Sequence, residues 1–156
     1  MSLRTSVAWR ARVVLLAGTL LILVACDPEP SWTGPSVQIG SQRIRVEVAD
    51  TPELQRRGLG YRDRLPWDQG MYFPYGAPGI QSFWMKGMRF PIDIVWIRHG
   101  RIVDLHTNVP FVPGENGPTV TPRELVDAVL EVPAGYAQAS GWRIGDRVRF
   151  ERPSPP

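Results

Sequence analysis

The residues best able to do chemistry fall in one stretch, "SFWMKGMRFPIDIVW", positions 82 to 96. Trp84 and Lys86 flank a methionine, and Asp93 stands alone as an acid within an otherwise apolar strand. If residues 87 to 90 connect two paired strands, Trp84 opposes Asp93 and Lys86 lies diagonal to it. That register groups Ser82, Trp84, Lys86 and Asp93 on one face, with Phe83, Met85, Ile92 and Ile94 on the other. Such a face suits ligand binding: Trp84 as a stacking wall, Lys86 as a charged contact, Asp93 orienting the lysine. The lysine stands out because the chain holds 17 arginines and only this lysine. Where arginine serves as the general surface cation, a retained lysine points to a need for a compact point charge. Arg62, in the aromatic segment 61 to 76, is placed to reach in as a second cation, and His106 completes the candidate set.

Other chemistries are poorly supplied. His99 falls in a turn and His106 shares a strand face only with Asp104, so a transition-metal site lacks its third ligand. No metal or cofactor is expected. There is no "GxSxG" nucleophile segment and no phosphate-cradling loop. Asp63 and Asp68 lie in a loop, where acids are usually solvated rather than paired for glycoside chemistry.

Period-two alternation in "VQIGSQRIRVEV", broken at Gly40-Ser41, predicts a hairpin. "DTPELQRRG" predicts a short helix, with Asp50 or Thr51 as cap, Pro52 in the first turn, Glu53 in a capping box and Gly58 as terminator. Further strands are expected around "GMYF", at 81–86, at 91–98, and in "RIVDLHT", "ELVDAVLEV" and the segment after "IGD". "GYAQASG" reads as a second short helix, and the proline-rich 108–122 as an irregular loop. The expected fold is mainly β: an antiparallel sandwich or barrel of seven or eight short strands with two short helices.

The chain begins differently. Arg4, Arg10 and Arg12 precede the apolar run 13–25, which ends in "LVAC". A spanning helix needs about 20 apolar residues, so this pattern is a lipoprotein signal peptide (1–25) with Cys26 as the acylation site. Acyl chains on Cys26, palmitate among them, would hold the protein on membrane lipid. Asp27 favours the periplasmic face of the inner membrane. Residues 26–36 form a tether, 37–150 a single domain and 151–156 a frayed tail. Cys26 is the only cysteine, so no intrachain disulfide or thiol nucleophile is available. After Cys26 the chain carries 15 acids and 15 basic residues, so the net +3 belongs to the signal segment. A neutral mature domain gives no electrostatic case for nucleic acid.

"VADTPELQRRGLGYRDRLPWDQGMYFPY", "FWMKGMRFPIDIVWI" and "AVLEVPAGYAQASGWRIGDRV" together resemble the domain-of-unknown-function family 192. The resemblance implies a small, mainly β fold and brings no established activity. This chain departs from the family pattern at Gly87-Met88, where Asn-Thr is usual, and at Gly60-Tyr61, where Met-Phe is common. The expected function is a membrane-anchored, non-catalytic module of the envelope, binding a small molecule, saccharide or peptide or acting as a scaffold. The alternative is a hydrolase or lyase acting on envelope saccharide or peptide through Lys86 and Asp93.

Overall fold

The computed structural model describes residues 32–153; the signal segment, Cys26 and residues 154–156 lie outside them. The hairpin forms as expected. β1 (Ser36–Ile39) and β2 (Gln42–Val48) are antiparallel, and Ile39 pairs with Gln42 across the two-residue turn. Gly40 takes φ 58° there, which glycine adopts without steric cost.

α1 (Pro52–Arg57) begins at Thr51, whose hydroxyl accepts from the Leu54 N–H at 3.3 Å. With Thr51 as cap, Glu53 falls one position short of a capping box and instead pairs with Arg56 at 3.1 Å. The helix ends where the Gly58 N–H donates to the Leu54 carbonyl. No residue within α1 is buried, so its position rests on its ends, on buried Leu59 just beyond and on Gln55, whose amide donates to the Ala49 and Pro74 carbonyls.

β3 (Gln69–Gly79) runs parallel to β2 and antiparallel to β8 (Val126–Pro133). The β2–α1–β3 unit is thus a small crossover in a sheet whose other described pairings are antiparallel. β5 (Ile92–Arg98) lies between β8 and β6 (Arg101–Val109), and β9 (Val148–Glu151) pairs with β1. The resulting seven-stranded sheet has the order β6-β5-β8-β3-β2-β1-β9 and curls into a half-barrel. Its two edges meet at one end, where Arg101 bridges Arg147 and the Val148 N–H donates to the Gly100 carbonyl. Nine strands are found among the described residues, β9 taking in Glu151 from the expected tail.

The strand at 81–86 is the main correction. Only β4 (Phe83–Trp84) is regular, and it pairs with β7 (Thr119–Val120) in a separate two-stranded sheet. β4 does not pair with β5, so Trp84 does not oppose Asp93.

Strand alternation divides the core into two clusters, one on each face of the sheet. Val37, Ile44, Tyr72, Val95, Leu130 and Val132 pack on one face, closed by α2 (Tyr136–Ala139) and Trp142. Met71, Phe73, Ile94, Trp96 and Val129 pack on the other, covered by Leu59 and by Phe83, Met85 and Met88. The second covering layer is incomplete, and the gap in it is the candidate site.

Candidate functional site

The cleft encloses about 300 Å³ between the C-terminal end of α1 and the segment 81–88. β3 contributes Phe73 and Tyr75 to its wall, and Glu131 of β8 reaches it from the sheet. Phe73 meets Phe83 edge to face at 4.9 Å, and Phe83 meets Trp96 likewise at 5.4 Å. This aromatic stack fixes the apolar wall. Arg56, Arg57 and Lys86 supply the cations of the lining, and Glu131 is its only acid.

Glu131 is 5% exposed, and its Oε2 is buried with no hydrogen-bond partner. Its neighbours in register are Met71 on β3 and Ile94 on β5, neither of which can donate a hydrogen bond from its side chain. Burial pushes its carboxyl up to about 8, against the pull of Arg62. At neutral pH the group is therefore mostly a neutral acid, able to donate as well as accept. Burial, with the Glu131 charge adding to it, lifts the Tyr75 phenol up to about 12. Gly58, whose φ of 50° favours glycine, passes beside the carboxyl, where a Cβ would make ordinary contact with Oε2 at 3.8 Å.

Of the residues expected from sequence, Trp84 and Lys86 line this cleft, with Trp84 52% exposed. Asp93 does not, and it is not the partner of Lys86. Fully buried on the opposite face, it accepts from the backbone N–H groups of Asn108 (2.7 Å), Gly135 (3.0 Å) and Ala137 (2.9 Å). It thereby caps α2, whose own cap residue, Gly135, has no side chain for the purpose.

Arg62 lies near enough to Glu131 to act on its charge, but its guanidinium is held by both oxygens of Glu47. That pair lowers the Glu47 carboxyl below its usual range. His106 accepts from the Trp96 indole N–H at its Nδ1 (2.7 Å), so that nitrogen's lone pair is already engaged. Asp104, also buried, is met by the N–H groups of Leu105 and Arg123.

The two departures from the family pattern meet in space beside Lys86. The Tyr61 N–H donates to the Gly87 carbonyl at 2.8 Å. A Cβ on Gly60 would sit 3.2 Å from the Lys86 carbonyl, and one on Gly87 would sit 2.9 Å from the Tyr61 ring. Small residues at 60 and 87 let the two backbones close and the ring lie flat over the turn. Lys86 consequently stands on a ridge, with the cleft on one side and a second hollow lined by Tyr61, Phe111 and Pro113 on the other.

A curled, mostly antiparallel sheet with one β-α-β crossover and a partly roofed outer face defines a small half-barrel domain with a single-acid cleft. The chain belongs to the family described as DUF192, uncharacterized ACR, matched over residues 36–150. A Sinorhizobium meliloti 1021 structure, described as a candidate transcription regulator, is similar at 32% identity and TM-score 0.68. That match covers 78% of this chain and 97% of the other. A Novosphingobium aromaticivorans DSM 12444 protein of unknown function is similar at 29% identity and TM-score 0.66, covering 73% and 83%. No curated protein matches the chain.

Proposed function

We infer that this chain is an envelope lipoprotein whose folded domain is a ligand-binding module, with the Glu131 cleft as its site. One observation carries the reading: a carboxyl group buried at a cleft with Oε2 left unpaired. Burying an unpartnered polar group costs about 1–3 kcal/mol, and native structures leave few such groups. A ligand that satisfies Glu131 would recover that cost on binding. Trp84 offers an exposed ring beside it, so a small molecule with a flat or ring-shaped body, a saccharide or a peptide side chain fits the lining.

The hydrolase or lyase alternative loses its proton-transfer pair, because Lys86 and Asp93 lie on opposite faces of the sheet. Transcription regulation, the description attached to the Sinorhizobium protein, would find no basic footprint for nucleic acid in a mature chain of equal positive and negative charge. Anchoring rests on the arginine-flanked apolar run ending in "LVAC". Cys26→Ala should remove acyl label and release the protein from the membrane fraction; retention would end the lipoprotein reading.

The cleft is tested by fragment screening of residues 32–153, followed through the indole N–H signals of the tryptophans. Binders should shift the Trp84 signal, and Glu131→Ala should weaken them. Fragments that shift no cleft residue would place the site elsewhere.

A further inference from the structure

The lining of the cleft also indicates which ligand chemistry it recognises, an inference that rests on the ligand-binding reading above. Arg56 is engaged by Glu53, but among the described residues neither Arg57 nor Lys86 takes part in an ion pair. Two cations outside any ion pair, Arg57 with its charge felt at Glu47, therefore stand at a cleft whose only acid is buried. An ionised Glu131 would neutralise one of them; a protonated Glu131 leaves the site positive and adds an O–H donor at its floor. Around these charges the lining is mixed, with Phe73, Phe83 and Trp84 as apolar surface and Gln55, Gln81 and Ser82 as polar groups.

We propose that the cleft binds an organic carboxylate carrying a ring or comparable apolar body. Lys86 and Arg57 take its charge at the rim, and the neutral carboxyl of Glu131 donates to it from the floor. A charge-assisted O–H···O bond to a carboxylate is among the stronger hydrogen bonds available in proteins. A cationic ligand is disfavoured by the same rim. A neutral ligand would leave the excess of positive charge unused.

The proposal makes binding proton-linked. Arg62, paired with Glu47 on β2, pulls on the Glu131 charge; Arg56 and Arg57 at the end of α1, Tyr75 on β3 and Lys86 beyond β4 share its cleft, and the β5 neighbour, Ile94, carries no charge. With the carboxyl at about 8 in the free protein, an arriving carboxylate favours its protonated form. Above that pH, binding must take up a proton.

The test uses phenylacetate and its uncharged counterpart phenylacetamide as probes, by calorimetry on residues 32–153 and on the full chain in detergent, between pH 6.5 and 9. Phenylacetate should bind at least about tenfold more tightly than the amide at pH 6.5, from loss of the charge-assisted contacts alone. Its affinity should fall by about tenfold by pH 9, with close to one proton taken up per site there, measured across buffers of different ionisation enthalpy. Glu131→Gln, which keeps the shape and a donor, should bind phenylacetate with affinity independent of pH. Lys86→Met and Arg57→Met should weaken the acid but leave the amide unchanged. If the amide binds as tightly as the acid while shifting Trp84, the carboxylate assignment is wrong and the ligand-binding reading stands. If neither probe nor any screened fragment shifts the cleft, both fail. Persistence of the pH dependence in Glu131→Gln would remove Glu131 from the proposal.

Discussion

Asp93 on β5 and Glu131 on β8 are buried in adjacent central strands, almost level in register, since Asp93 pairs with Val132. They point to opposite faces, and their surroundings differ in kind. Three backbone N–H groups from two segments, the end of β6 and the start of α2, converge on Asp93, so both of its carboxyl oxygens are paired within the protein. Glu131 stands between methionine and isoleucine neighbours, with Oε2 unpaired and a cleft beside it. A buried acid that is fully satisfied is part of the frame. One left wanting a partner is where the fold departs from its own consistency, and such departures tend to mark function.

The comparison is broken most forcefully at Asp93. Asp93→Ala leaves three donors without an acceptor, two of them on the turn that starts α2. At about 1–3 kcal/mol each, with partial relief by water, the loss should be roughly 3–6 kcal/mol in denaturant titration. That is a large share of the 5–15 kcal/mol typical of a domain, so the variant should be marginally folded. A loss under about 1 kcal/mol would mean that the three donors are not held by this carboxylate.

Glu131 predicts a pH dependence of the opposite origin. Its carboxyl is raised from 4.5 to about 8 on folding. Between those values the unfolded chain releases the proton and the folded chain keeps it, so stability falls as pH rises through this window. Below 4.5 both states are protonated, and above about 8 both are ionised, so the penalty is absent in the first range and constant in the second. Its full size is on the order of 3–5 kcal/mol. Glu131→Gln should remove this contribution, so wild type and variant should diverge steadily from pH 5 to 8, the variant gaining. Parallel stability curves for the two would show a carboxyl ionised in the fold, contrary to its burial.

The difference between the two acids was only partly legible in the sequence. Asp93 interrupts an unbroken apolar run, so burial of an acid there was readable. Its partners were not, because they are backbone groups of Asn108, Gly135 and Ala137, which no side-chain pattern records. Glu131 was hidden by the opposite effect. In "ELVDAVLEV" it shares strand parity with Asp127 and Val129, and so reads as part of a half-solvated face. Only the cover supplied by α1 and by residues 83–88 buries it. The same locality explains the fold. Hairpin, caps and the strands β5, β6 and β8 announce themselves within a few residues. The β4–β7 pair joins two-residue strands 35 or more positions apart, and the parallel β2–β3 pairing passes through a six-residue helix too short to set a βα rhythm.

The smallest expected effect is also the one that separates the two regions most sharply. Were Lys86 the ion partner of Asp93, removing either would expose the other, and a double-mutant cycle would show coupling well above 1 kcal/mol. In the structure Asp93 is enclosed by α2 and the β6 end on one face, while Lys86 is exposed beside the cleft on the other. Lys86→Met alone should therefore change stability by less than about 0.5 kcal/mol, as for an ordinary surface site. Asp93→Asn is the second arm, mild enough to leave a folded population: it keeps one acceptor oxygen and turns an amide towards donors already in place. The two changes should add within about 0.3–0.5 kcal/mol. Measured coupling above that range would restore the lysine–aspartate pair and put Asp93 back beside the ligand site. Additivity leaves Lys86 free to serve the cleft with no structural duty, which is the condition under which its loss can abolish binding and leave the fold untouched.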